Sequence, residues 1–421
     1  MSSSDARLTL PRRSLLSLGL AALGAAALRR DTGDARAADP RPKAAADTLI
    51  ILWLNGGPSH LDTFDPKPGR KVMGPLKAIS TSVPGLQIGE HLPLLAQQAN
   101  RVAFLRGLSS KEGSHERAAY LGHTGYSPNP TAAYPSLGAW ASQSLGARDP
   151  ELPAYVSLGG PGGEPGFFGA GHAPFIVTAP GQAPDDTSSG VSDARFSRRT
   201  KALSLLEEGF AARTKAPVVA ERRAVYDRAF KLMRSPRLRA FDLEGEPAAT
   251  RAAYGDTPFG RGCLTARRLV EVGVRVAEVT LDGWDTHQDN FSRVKKLCGT
   301  LDPALSALLR DLADRSILDR TLVLCMGEFG RTPKISDEDG RDHHPSAFTA
   351  LLAGGGVRGG TVVGQTDEDG AQVVSEKLRM ADVFATVASR LGLDPLQMAE
   401  APSGRPVTLT EGGKVIEKLF R

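Results

Sequence analysis

Continuous apolar runs, rather than alternating ones, punctuate this chain, and two of the longest stop at glycine. Thr48-Leu-Ile-Ile-Leu-Trp-Leu54 ends at Asn55-Gly56-Gly57-Pro58, and Thr321-Leu-Val-Leu-Cys-Met326 ends at Gly327. Runs this short and apolar throughout predict strands of a parallel sheet buried on both faces. Val102–Leu105, Leu152–Leu158, Val274–Leu281 and Phe348–Ala353 read as further strands, with short edge strands at 361–364 and 372–374 and a terminal strand at 406–409. Helical spacing lies between them. It predicts a short helix over 92–99, another from Ser114 to Leu121, a face through Cys263, Leu264, Ala266, Leu269 and Val270 that stops at Gly273, a long helix over 291–312, and a late one from Met380 to Leu391. Alternating strands and helices predict an α/β fold with a mainly parallel sheet flanked by helices. Side chains just beyond the strand C-termini of such a sheet share one edge. Asn55, Asp285, His287 and Glu328 are therefore expected to meet there.

Two stretches break this rhythm. Residues 195–250 are rich in Arg, Ala, Leu and Glu, with helical spacing at Leu203, Leu205, Leu206 and Phe210 and a second such run over Val218–Met233. They read as a helical insertion whose charge is mostly a solvated face. Gly159–Gly171 is glycine-rich but lacks the G-x-x-x-x-G-K-[ST] pattern of a phosphate loop, so it reads as a surface loop near the site.

The N-terminus changes the charge picture. Arg12-Arg13 precedes a mild apolar stretch, Leu15–Leu28, and Ala35-Arg36-Ala37 offers a small-x-small cleavage site. This combination predicts a twin-arginine export signal over residues 1–37, recognised by the twin-arginine machinery, followed by a linker at 38–46 and one domain over 47–421. The apolar stretch falls short of the ~20 strongly apolar residues of a spanning helix, and no later segment supplies them. No permanent membrane span is expected, and the mature protein is placed in the periplasm or outside the cell. The signal carries six Arg against three Asp, so the formal +5 of the chain falls by 3 to +2. With no basic run interleaved with aromatics, nucleic acid is not an expected partner. Three cysteines without close spacing argue against a disulfide framework; Cys263 and Cys325 read as core, and Cys298 as a surface residue.

The chemistry gathers where apolar runs stop. Gly283-Trp284-Asp285-Thr286-His287 follows one, Gly327-Glu328-Phe329-Gly330-Arg331 another, and Arg341-Asp342-His343-His344 comes ten residues later. Histidine with carboxylates suits Zn²⁺ or a similar divalent ion. Asp285, His287, Glu328, Asp342, His343 and His344 are candidate metal ligands, with Asp62 as another from the polar loop after the first strand. Each has a bland alternative: Asp285 and Asp289 as helix caps, Glu328–Arg331 as a buried ion pair, and the histidines as loop residues. Arg331 is a candidate clamp for a phosphate or sulfate oxygen. Ser114 and His115 open a helix, where Ser114 is either a nucleophile or an N-cap and His115 a general acid/base or a ligand. Ser59, His60 and Asp62, packed into four residues, do not suit a serine triad.

The motifs "WLNGGPSHLDTFDPKP", "SHERAAYLGHTGYSP", "FGRGCLTARRLVEVGVRVAEVTLDGWDTH", "GEFGRTP" and "GRDHHP" resemble the domain of unknown function 1501, exported bacterial proteins of the alkaline phosphatase/sulfatase clan. The resemblance covers residues 48–421 and implies an alkaline-phosphatase-like core. It implies a metal-dependent hydrolase of phosphate or sulfate esters, sulfated or phosphorylated glycans among them. The alternative is a non-catalytic surface or periplasmic binding protein that keeps the fold. Where the clan has a first-strand Asp, this chain has Asn55. Where the clan has Asp-His after a strand, it has Glu328-Phe329. The Cys-x-Pro-x-Arg signature of formylglycine sulfatases is missing. The resemblance thus implies one metal site kept, through Asp285, His287 and His343 or His344, and a second one degraded.

Overall fold

The computed structural model describes residues 44–185, 187–214 and 217–420. The export signal and most of the linker lie outside the described residues. Eight strands form the central sheet: β1 (Thr48–Asn55), β2 (Val102–Leu108), β3 (Tyr155–Leu158), β4 (Phe175–Val177), β5 (Val276–Asp282), β6 (Thr321–Met326), β7 (Phe348–Ala353) and β8 (Val362–Val363). Their order across the sheet is β8-β2-β7-β6-β1-β5-β3-β4. All neighbouring pairs are parallel except the two that β7 makes, with β2 and β6. The α/β class and mainly parallel sheet expected from the apolar runs are present.

Burial on both faces explains why β1 reads as an unbroken apolar run. Ile50, Leu52 and Leu54 enter one core cluster; Leu49, Ile51 and Trp53 enter the other. The helices divide in the same way. We label them α1 (His115–Thr124), α2 (Leu137–Leu145), α3 (Asp193–Thr214), α4 (Pro217–Arg234), α5 (Pro258–Glu271), α6 (Asn290–Asp314) and α7 (Met380–Arg390). Helices α5 and α6 cover the first face through Cys263, Leu269, Leu305 and Leu309, and α2 and α7 cover the second through Trp140, Phe384 and Val387. Cys298, expected at the surface, is fully buried, because its position on α6 faces that first core. The edge strand expected at 372–374 pairs instead in a small ribbon, Gln365–Thr366 with Val373–Ser375. Helices α3 and α4 form an antiparallel hairpin within the stretch read as an insertion.

Three adjacent strands set the site. β6, β1 and β5 lie side by side, and their register pairs Trp53 with Met326 and Asn55 with Asp282. Their C-termini therefore leave the sheet together. A two-stranded ribbon, Gly330–Arg331 with His343–His344, then folds back across this edge and pairs His343 with Arg331. Two glycines permit the close approach. A Cβ on Gly56 (φ +112°) would lie 2.4 Å from the Asp285 amide nitrogen, and one on Gly340 would lie 1.7 Å from the His287 carbonyl.

Candidate metal centre

Three imidazoles converge on one carboxylate oxygen. Asp285 Oδ1 lies 3.3 Å from His115 Nε2, 3.2 Å from His287 Nε2 and 3.5 Å from His343 Nε2. One ligand atom each from His115, Asp285 and His343 fit within 4.8 Å of one another. His287 Nε2 stands 3.0 Å from His343 Nε2. The three histidines are partly exposed, from 24% at His343 to 43% at His287, and Asp285 is 46% exposed, so the cluster opens to solvent.

The outer nitrogens decide the tautomers. His343 Nδ1 is 2.7 Å from the Gly113 carbonyl, which only accepts, so that nitrogen carries the proton. His115 Nδ1 meets Glu328 Oε1 at 2.9 Å, and His287 Nδ1 meets Asp342 Oδ1 at 3.0 Å. Ionised carboxylates also only accept. All three rings therefore donate outward and turn an Nε2 lone pair inward, the arrangement in which outer partners orient histidine ligands. Lone pairs facing one another and a carboxylate repel unless a cation or a shared proton lies between them. The donor set of His115, His343 and Asp285, two imidazoles and one carboxylate with His287 beside them, fits a zinc-type ion. Glu328 Oε2 and His115 Nε2 are also buried atoms without a hydrogen-bond partner.

Local charge favours an ionised Asp285 and a neutral His343. Burial pushes the Asp285 carboxyl up, but the Arg331 bond and charge outweigh it and hold the group down to about 2. The Glu328 bond raises His115 against burial, whereas burial lowers His343 against its Gly113 bond. Phe329, 1% exposed, floors the cluster, its ring centroid 5.1 Å from that of His115 and 4.6 Å from that of His343.

Several expected ligands stand elsewhere. Asp62 gives both carboxylate oxygens to Arg341, at 2.8 and 2.9 Å, and accepts from Asn290; the Asp62–Arg341 pair is completely buried. His344 turns away to bond the Ala371 carbonyl. Glu328 sits behind His115 and also accepts from the Gly56 amide, while Asp342 sits behind His287. Arg331, expected to clamp substrate, is fully buried; it donates to the carbonyls of Gly56, Gly57 and Arg341 and to Asp285 at 2.6 Å. Its ion-pair partner is thus Asp285, not Glu328. Asn55 does not join the cluster: it donates to Asp282 and accepts from Trp53. Ser114 is exposed at the N-cap of α1 and makes no side-chain cap bond. His60 bonds the Gly370 carbonyl, and burial lowers its pKa to about 4, so Ser59, His60 and Asp62 form no triad. Sequence reasoning missed the Gly113 carbonyl, because a backbone acceptor leaves no residue-type signal.

A family model described as "Protein of unknown function (DUF1501)" matches residues 46–420. The chain belongs to that family. No curated protein matches this DUF1501 chain. Solved structures similar to it include the lipoteichoic acid synthase LtaP from Listeria monocytogenes, 11% identical over 88% of this chain and 76% of that one, with a TM-score of 0.37. The PsFucS1 sulfatase from Pseudoalteromonas sp. is 12% identical over 98% and 77%, with a TM-score of 0.42. The phosphonate monoester hydrolase of Agrobacterium radiobacter is 11% identical over 90% and 77%, with a TM-score of 0.37.

Proposed function

We infer that this DUF1501 protein is an exported metal-dependent hydrolase of phosphate or sulfate esters, with one divalent ion, zinc by its donor set, held by His115, Asp285 and His343. The observation that carries the reading is the convergence of inward-facing Nε2 atoms on Asp285 Oδ1. When bound, the ion supplies Lewis-acid polarisation of an ester oxygen. Glu328, the Gly113 carbonyl and Asp342 fix the rings by holding their Nδ1 protons. Arg331 acts on Asp285, keeping it ionised and aimed. The N-terminus of α1 presents Ser114 to solvent beside His115, where the helix dipole favours an anionic group. Ser114 is therefore the residue assigned to attack the ester or to seat it. The ester class rests on the clan resemblance of the motifs, and a sulfated or phosphorylated glycan is the substrate type in view. The twin arginines assign export through the twin-arginine machinery to the periplasm or beyond.

A non-catalytic binding protein is the second reading. Phe329 favours it, since an apolar ring floors the cluster where a second metal needs a donor.

Elemental analysis of the purified protein tests the primary reading, beside a His115→Ala/His343→Ala variant. About one transition-metal ion per chain, lost in the variant, is expected, followed by turnover of an aryl phosphate or aryl sulfate. A metal-free wild-type protein overturns the metal centre. A metal-loaded protein that turns over neither ester shifts the reading to binding.

A further inference from the structure

The α3–α4 hairpin carries a charge opposite to that of the body it grows from. Residues 193–234 hold eleven Lys and Arg against five Asp and Glu, a net +6. Residues 44–192 and 235–421 together hold 33 against 38, a net −5. Solubility alone does not explain such segregation, because an evenly mixed surface serves it as well.

Four of the five basic residues of α3, all but Lys201, gather on one side. At ~100° per residue, Arg195, Arg198, Arg199 and Arg213 fall within an arc of about 120° together with Leu205 and Leu206. All four arginines are exposed. Leu205 and Leu206 are 62% and 72% exposed, among the most exposed large apolar side chains described. The acids of α3, Asp193, Glu207 and Glu208, lie off this arc, and none of the four arginines takes part in an ion pair among the described residues. The opposite side of α3 is the packed one: Phe196 meets Phe230 of α4 edge-on at 5.2 Å.

We propose that this arginine–leucine face of α3 docks the protein on an anionic phospholipid surface. Guanidinium groups pair with phosphates bidentately, and their long stems lie along apolar surface while the heads stay wet. Two leucines between four arginines suit the boundary where headgroups meet acyl chains. A soluble acidic partner matches the charge but leaves the two leucines unexplained. No described helix is long and apolar enough to cross a membrane.

The test uses residues 44–421, which contain both core clusters and exclude the N-terminal apolar stretch. Co-sedimentation is measured with phosphatidylglycerol-containing vesicles and with pure phosphatidylcholine vesicles, at low and high salt. Binding to the anionic vesicles at low salt is expected, with little to phosphatidylcholine. Replacing the four arginines by glutamine weakens partitioning by about a thousandfold at ~1 kcal/mol per basic residue. Leu205→Ser/Leu206→Ser weakens it roughly tenfold or more. Both sets lie on the surface, and unchanged thermal melting verifies the fold. No vesicle binding, equal binding to both lipids, or variants that bind like wild type overturns the proposal. Binding to soluble polyglutamate with none to vesicles also overturns it and assigns the face to an acidic protein.

Discussion

His115 and Glu328 lie 213 residues apart in the chain and share a 2.9 Å hydrogen bond on the side of the imidazole away from Asp285. The bond holds a proton on Nδ1 and leaves Nε2 for an ion. Glu328→Leu removes the acceptor and frees the tautomer, whereas Gln would keep it, because Oε1 alone accepts from both His115 and the Gly56 amide. Zinc affinity is expected to fall roughly 10–100-fold, the usual effect of removing such an outer partner. Competition titration with a chromogenic chelator measures it, and unchanged affinity would sink the tautomer assignment.

Arg331 secures three backbone carbonyls as well as Asp285. Arg331→Met is expected to cost about 3 kcal/mol, chiefly from buried acceptors left without a donor, because half-exposed Asp285 recovers water. Urea unfolding reports the loss. Arg331→Lys keeps the charge but not the planar fork, so it restores only part of it.

Asp62 separates scaffold from site. Asp62→Ala strands the buried Arg341 and is expected to cost about 3–5 kcal/mol. Metal stoichiometry is nevertheless expected to match wild type at temperatures where the variant is folded. Loss of metal from a folded Asp62 variant would return Asp62 to the ligand set.

A second histidine on α1 is clamped in the same way. His123 Nε2 meets buried Glu278 at 2.9 Å, and Tyr155 donates to the same carboxylate. Burial pulls His123 down, but the Glu278 charge and bond outweigh it, so its folded pKa stands above 6.5. Burial likewise pushes Glu278 up, and His123 outweighs it, leaving its pKa below 4.5. The His123 contribution is therefore complete below pH 6.5 and is lost as pH rises through its raised value. The Glu278 contribution is complete above pH 4.5 and is lost as pH falls through its depressed value. Melting temperature is expected to decline above pH 6.5 in wild type, and less steeply in His123→Gln. Parallel curves on that side contradict the pairing.

Much of the fold was legible because both-face burial writes itself as continuous apolar runs, and β1 and β6 carry that signature end to end. Asp285, His287 and His343 were legible for a related reason: they stand at strand ends or one short ribbon away. The pairings were not. Whether Arg331 binds Asp285, Glu328 or a substrate depends on the register of β6, β1 and β5, which no local pattern encodes. Asp62 looked like a ligand because a carboxylate near a strand end resembles any other until its partner is known. Cys298 looked exposed because two lysines precede it, although helical rotation turns it inward.

The β6-β1-β5 adjacency also orders events in time. The site's side chains come from segments that begin after residue 108 and end at His343, and they meet only when strands distant in sequence have paired. Long-range pairing closes late in folding, since loop entropy must be overcome before such contacts reward it. An unfinished chain offers scattered histidines and no cage. If the cluster binds metal as proposed, uptake would report completed folding, and a lesion anywhere along those three strands should show first as lost metal, before the helices around them melt.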